Sequence, residues 1–174
     1  HQYAQTEFDS TVRSGDHDDR RIDAIVVAGM GGSALAALVV KAWLKAELSI
    51  PFEVVRSYDL PGYVNEHTLV IASSYSGNTE ETLSALEQAT AARAQVAIIA
   101  AGGKLIEAAE ERDIAHVNVP EHLQPRMAVL YNLRDVIAIL ANFGLVDASK
   151  IDEIGHTAKW LHEQSAQWGP EVPE

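Results

Sequence analysis

The chain has 174 residues, 47 % of them hydrophobic, no cysteine and a formal net charge of −12. That is enough chain to bury one core and too little for two ordinary domains. Disulfides and thiolate metal sites are excluded, and the acidic balance is a poor footprint for nucleic acid or an anionic membrane surface.

The first twenty residues are polar, acidic around Asp16-His17-Asp18-Asp19, and read as a segment ahead of the domain. No apolar run is long enough to span a bilayer and no secretory leader is visible, so a cytoplasmic, reducing setting without a membrane is expected. Ile22 to Ala28 is a continuous apolar run, as in a strand buried on both faces. It meets Gly29-Met30-Gly31-Gly32, and from Ser33 the spacing predicts a helix with Leu35, Leu38, Val39, Ala42 and Ala46 on one apolar stripe. Phe52 to Val55 reads as a second strand, and Asp59-Leu60-Pro61-Gly62 as a turn.

Thr68 to Ser73 is the third predicted strand, and a helix is predicted after it from about Thr79 to Ala92. Gln95 to Ala100 is the fourth, ended by Gly102-Gly103 before a short helix through Leu105, Ile106 and Ala109. Ala115 to Val119 is the fifth, stopped by Pro120. Pro125 suits the first turn of a helix with Met127, Leu130, Leu133, Ile137, Leu140 and Phe143 at core-facing spacing, ended by Gly144. A last helix is predicted from about Ser149 to Gln167, with Ile151, Ile154, Ala158, Leu161, Ser165 and Trp168 along one seam. Gly169 to Glu174 reads as the start of a linker.

Strands alternating with helices, most strands continuously apolar, predict an α/β fold: a three-layer αβα sandwich on a five-stranded, parallel, doubly wound sheet. In such sheets ligands bind beyond the C-terminal strand ends at the switch point, where the two glycine-containing turns should meet. The most informative stretch is Ser73-Ser74-Tyr75-Ser76-Gly77-Asn78-Thr79-Glu80-Glu81, between strand and helix. Backbone N–H groups at a helix start lack intrahelical partners, and the macrodipole makes that end positive. Three hydroxyls and a glycine that lets the backbone come close make an anion cradle there, with phosphate as the natural occupant.

Two other readings stand beside it. Asn78, with Glu81 three residues on, has the form of an N-cap with its capping-box partner, which stabilises a helix and nothing more. Gly29-Met30-Gly31-Gly32-Ser33-Ala34 also satisfies G-x-G-x-x-A, the dinucleotide fingerprint. That reading wants an acid at the second strand's tip, where the chain instead continues Arg56-Ser57-Tyr58-Asp59. It also leaves the Ser/Thr-rich turn unused. His156 and His162 lie six apart and share no helix face, so no metal site is read.

Ser74-x-Ser76-Gly77-x-Thr79-x-Glu81 after one strand, with Gly31-Gly32-Ser33 after another, resembles the SIS (sugar isomerase) domain. More narrowly, GMGGSALA, SSYSGNTEETL and Gln124-Pro125-Arg126-Met127-Ala128 resemble the N-terminal half of the bifunctional phosphoglucose/phosphomannose isomerases of archaea and bacteria, over about residues 22–145. The resemblance implies that Ser33, Ser74, Ser76 and Thr79 hold a sugar phosphate, with Gly32 giving close backbone approach. It puts Arg126 near C1 and C2, stabilising charge that develops on the enediol(ate).

It further implies a SIS domain over 21–146, followed by a helix and the start of a linker, 147–174, to a second SIS half. The family's catalytic Glu comes from that half and its His from a neighbouring subunit; neither has a matching position here. Glu121-His122 is the local pair to weigh instead, but adjacent loop residues do not ordinarily aim at one atom. Glu80 and Glu81 fit the helix start better. The implied activity is cofactor-free interconversion of glucose 6-phosphate, and of mannose 6-phosphate in the bifunctional case, with fructose 6-phosphate. This chain alone is expected to bind and to turn over little, and to pair as a homodimer. The alternative is a stand-alone SIS module that senses a sugar phosphate and catalyses nothing.

Overall fold

In the computed structural model, residues 12–13, 20–122, 128–165 and 167–168 are described. The five apolar runs become β1 (Ala24–Gly29), β2 (Phe52–Val55), β3 (Thr68–Ser73), β4 (Gln95–Ala100) and β5 (Ala115–Asn118). They form one sheet in the order β2-β1-β3-β4-β5, each neighbouring pair parallel. Every residue of central β3 is buried, as a strand covered on both faces requires.

The helices are α1 (Gly31–Trp43), α2 (Glu80–Ala91), α3 (Gly103–Glu111), α4 (Val129–Asn142) and α5 (Ser149–Ser165). Alternate strand residues feed two cores, as the pleat demands. Ile25, Val27, Leu69, Ile71 and Ile99 meet Ala37, Val40, Ile137 and Leu140 from α1 and α4. Val26, Val70, Ala72, Ile98 and Ala100 meet Leu86, Ala89, Leu105 and Ala109 from α2 and α3. The architecture is the expected doubly wound α/β sandwich. Between β2 and β3 a loop replaces the usual crossover helix and is strapped to α2. The Tyr58 carbonyl accepts from Gln88 Nε2 at 2.6 Å and Ser84 Oγ at 3.0 Å, and the Leu60 N–H donates to Gln88 Oε1 at 3.1 Å.

The expected inward face fails on one helix and holds only in part on two others. The predicted α1 stripe of Leu35, Leu38, Val39, Ala42 and Ala46 lies in solvent, and Ser33, Ala34, Ala36, Ala37 and Val40 are buried instead. α1 is apolar almost all round, so spacing alone could not choose a face. Its small residues lie under close contact with the sheet and α4, where leucines would overfill the space. On α4, Ile137 and Leu140 are buried and Leu133 and Phe143 pack against the core as expected, but Leu130 is 70 % exposed, while Asn132 and Asp135 are buried; Met127 lies outside the described residues. On α5 only the first turns pack: Ile151 and Ile154 rest against the core, but Ala158, Leu161, Ser165 and Trp168 are exposed. Lys150 ties down that end, 3.0 Å from Glu47, 2.8 Å from Glu153 and over the ring of Trp43.

The reversed α1 faces carry a simple expectation. Leu38→Ser should change unfolding stability by less than about 1 kcal/mol, whereas Ala37→Leu should cost about 1–3 kcal/mol through overpacking. Urea denaturation of both variants checks the ranking, and the opposite order would return Leu38 to the core.

Candidate functional site

β1 and β3 are neighbours, with Gly29 in register with Ser73. The chain leaves them toward opposite faces, α1 with α4 and α2 with α3, so the switch point of the sheet lies between their C-terminal ends. The approach is close: a Cβ on Gly29 would sit 2.8 Å from the Ser73 carbonyl oxygen. A cleft of about 630 Å³ opens there, lined by Met30, Gly31, Gly32, Ser33 and Leu35 on one side and Ser74, Tyr75, Ser76 and Thr79 on the other, with Val129. Each residue to which the family resemblance assigns a phosphate contact, Gly32, Ser33, Ser74, Ser76 and Thr79, is therefore in one cleft.

The loop after β3 is held in a fixed shape. The Ser74 N–H donates to the Ile99 carbonyl at 2.9 Å, and the Gly77 N–H closes a turn onto the Ser74 carbonyl at 3.0 Å. Ser74 Oγ lies 2.7 Å from Thr79 Oγ1 and 3.4 Å from Ser76 Oγ, so three hydroxyls form one cluster. Ser74 is buried, Thr79 half-buried and Ser76 exposed, a graded row from floor to mouth.

The capping-box reading is corrected here. The N-cap of α2 is Thr79, not Asn78, and it makes no side-chain cap hydrogen bond; its hydroxyl is turned to Ser74. Asn78 serves a different helix. Its Nδ2 donates to the Ser76 carbonyl at 3.0 Å, and its Oδ1 accepts from the Lys104 N–H at 3.2 Å in the first turn of α3. The Leu105 N–H donates to the Gly77 carbonyl at 3.0 Å. So the loop caps α3 and leaves α2 without a side-chain cap. The N-cap of α1 is Met30, which has no hydroxyl or carboxylate to offer. Two helix starts without side-chain caps thus meet one hydroxyl cluster, an arrangement suited to an anion.

Among the described residues, no Lys, Arg or carboxylate lines this cleft. Glu80, in the first turn of α2, accepts from the Tyr58 hydroxyl at 3.1 Å. That hydrogen bond, then the charges of Glu81 and Glu80, raises the Tyr58 pKa, so the phenol keeps its proton and its donor role. On the dinucleotide reading, β2 ends at Val55 and the next acid, Asp59, lies in the loop strapped to α2, where its carbonyl accepts from Ser57 Oγ. It is not at the strand tip.

The family model described as "SIS domain" matches residues 20–140. The chain belongs to the SIS-domain family. A bifunctional phosphoglucose/phosphomannose isomerase of Caldicellulosiruptor bescii is 42 % identical over 153 residues, covering 88 % of this chain and 45 % of that protein. One of the same name from Aquifex aeolicus is 36 % identical over 149 residues, covering 85 % and 45 %. The chain thus spans less than half the length of these curated relatives. The crystal structure of tagatose-6-phosphate ketose/aldose isomerase from Escherichia coli matches with a TM-score of 0.59 at 20 % identity, over 83 % of this chain and 44 % of that one. At that identity the likeness is one of fold.

In this SIS domain Arg126 falls within 123–127, outside the described residues. Glu121 and His122 are both exposed, 3.8 Å apart, and neither lines the cleft. His156 and His162 are exposed on α5. Sequence reading missed Met30, Leu35, Tyr75 and Val129 as cleft walls, and the capping of α3 by Asn78. The last had a signal in Gly102-Gly103, since two glycines beside an Asn-containing turn mark a close backbone approach.

A methyl group on Gly77, whose φ is +66°, would sit 1.7 Å from the Gly102 carbonyl oxygen. Gly77→Ala should therefore destabilise the SIS domain by about 3 kcal/mol or more, from the unfavourable φ and the backbone clash together. Gly31, also at positive φ (+52°), has open space around it, and Gly31→Ala should cost only about 1–2 kcal/mol. Thermal or urea unfolding measures both; equal costs would mean that the two loops can part freely.

Proposed function

We propose that this chain is the phosphosugar-binding half of a cofactor-independent aldose–ketose isomerase. It would interconvert glucose 6-phosphate, and mannose 6-phosphate as the relatives' name suggests, with fructose 6-phosphate, all soluble metabolites of the cytoplasm. The observation that carries the reading is the Ser74–Ser76–Thr79 hydroxyl cluster between the starts of α1 and α2, in a cleft of about 630 Å³ at the switch point. Hydroxyls, backbone N–H groups and helix dipoles suit a phosphate monoester.

Holding phosphate there leaves the sugar carbons toward the open mouth. Moving a proton between C1 and C2 needs a base, and opening the ring needs an acid or base. Among the described residues, the cleft walls supply neither a carboxylate nor a histidine. In this reading they come from a second SIS half to which 147–174 leads, and from a neighbouring subunit, while Arg126 steadies the enediol(ate) charge. The exposed face of α1 supports such a cover. Met30 and Leu35 are exposed and also line the cleft, Leu38 and Val39 are exposed on the same helix, and Leu130 is 70 % exposed at the start of α4. A partner on this face would bury apolar area and reach the mouth together. The lack of a carboxylate or histidine among the described wall residues also favours the second reading, a sensing module that binds and does not turn over.

Titration calorimetry with fructose 6-phosphate, with inorganic phosphate and NAD as controls, tests the site. Saturable sugar-phosphate binding is expected, weakened at least about tenfold in Ser76→Ala and in Thr79→Ala, the worth of a hydrogen bond to a charged group. NAD binding, or binding indifferent to both changes, would sink the reading. For the cover, light scattering should show a homodimer that Leu38→Arg turns into a monomer; a clean monomer of the unaltered chain at high concentration refutes the homodimer. Turnover that appears only with a second SIS half restored separates enzyme from sensor.

A further inference from the structure

The buried side of α4 carries two polar residues, Asn132 and Asp135, 1 % and 2 % exposed. Asn132 Nδ2 lies 3.5 Å from Ser33 Oγ, across ninety-nine residues of sequence. Its Oδ1 is buried without a hydrogen-bond partner among the described residues. Burying an unpaired amide oxygen is unfavourable, and a leucine would fill the space without that penalty. The site thus keeps a group that packing alone would not choose.

What the amide does for Ser33 follows from hydroxyl chemistry. A serine hydroxyl has one hydrogen to give and two lone pairs to receive. An N–H from Asn132 takes a lone pair, so the hydroxyl's own hydrogen must find an acceptor elsewhere. Ser33 lines the cleft, which is where that hydrogen can go. We propose that Asn132 is a positioning residue: by donating to Ser33 Oγ it turns that hydroxyl into an obligate donor toward a phosphate in the cleft. The inference rests on the phosphate reading above. It gives the α1 side of the site a hydroxyl with a settled direction, whereas in the Ser74–Thr79 pair on the other side either hydroxyl can be the donor.

Replacing the amide by its acidic isostere reverses the polarity. A carboxylate at 132 can only accept, so Ser33 would donate to it and be lost to the ligand, with a negative charge set behind the anion site. Protonation restores a donor. Among the described residues, Asp135 lies one turn along the same helix face, while the buried face of α1 and the facing ends of β1 and β3, Gly29 and Ser73, carry no charge.

The experiment is a fructose 6-phosphate titration of the unaltered chain, Asn132→Asp, Asn132→Leu, Ser33→Ala and the Ser33→Ala/Asn132→Leu double variant. Affinities are taken from about pH 8 to about pH 5.5, each relative to the unaltered chain at that pH so that ionisation of the ligand cancels. Asn132→Asp should bind at least about tenfold more weakly at the upper end and recover on acidification. Asn132→Leu should weaken binding without a pH trend, and should add no further loss once Ser33 is alanine. A merely structural asparagine would lower affinity equally in both serine backgrounds, and that result overturns the proposal. So does an Asn132→Asp protein that binds like the unaltered one. If Asn132→Asp does not fold by circular dichroism, the Ser33/Asn132 cycle decides alone. If Ser33→Ala weakens binding and Asn132→Leu does not, only the role of Asn132 falls. If the unaltered chain binds no phosphate ligand, the cradle falls and this inference with it.

Discussion

There is no room for a side chain between the loops that follow β3 and β4. The contact of Gly77 with Gly102, and of Gly103 with Asn78 and Ser76, sets the shape of everything above it. Because the two loops touch, the first-turn amides of α3 can be satisfied by Asn78 and by the Gly77 carbonyl. Three helices thus begin on one edge of the sheet with different fates. α3 spends its start on anchoring the loop, and the anchored loop keeps its hydroxyls gathered at the start of α2. α1 arrives from the other face with a glycine-rich first turn. The site is a by-product of how tightly strands β1, β3 and β4 and their exits are packed.

The strands were legible because buried parallel strands are written as unbroken apolar runs with stops at glycine or proline; β2, β3 and β4 lie where expected. Membership of the cleft was legible too, since Ser74, Ser76 and Thr79 sit between a strand and a helix and fold topology alone brings Gly32 and Ser33 to them. What escaped was orientation. α1 offers apolar residues on both sides, and the choice of its alanines depends on how near the sheet and α4 approach, which only the assembled packing decides. Asn78 looked like a cap because cap statistics count the nearest helix, whereas the acceptor was used by a helix twenty-five residues on. Asn132 hid for a related reason: a polar residue in an apolar stripe reads as a blemish until its neighbour from α1 is known.

α5 shows how unevenly the chain is held. Lys150, Ile151 and Ile154 secure its first turns, and no residue along its length is fully buried. Beyond them Trp160 and Leu161 stand in solvent. Amides of the far end have no core to protect them, so their helical hydrogen bonds open at low free energy compared with those of β3. The same chain therefore joins a rigid cleft to a segment that a contact can readily reshape.

Among the described residues no cationic side chain lines the cleft, and this bears on rates as much as on affinity. Dipoles and hydroxyls act over a few ångströms, while the net charge of −12 acts over the Debye length, about 8 Å at physiological ionic strength. On the phosphate reading, an anionic ligand is thus repelled on approach and held on contact. Added salt shortens the range of the repulsion and leaves the short contacts nearly untouched. Association should quicken as ionic strength rises while dissociation stays almost constant, the reverse of what a lysine-lined phosphate site shows.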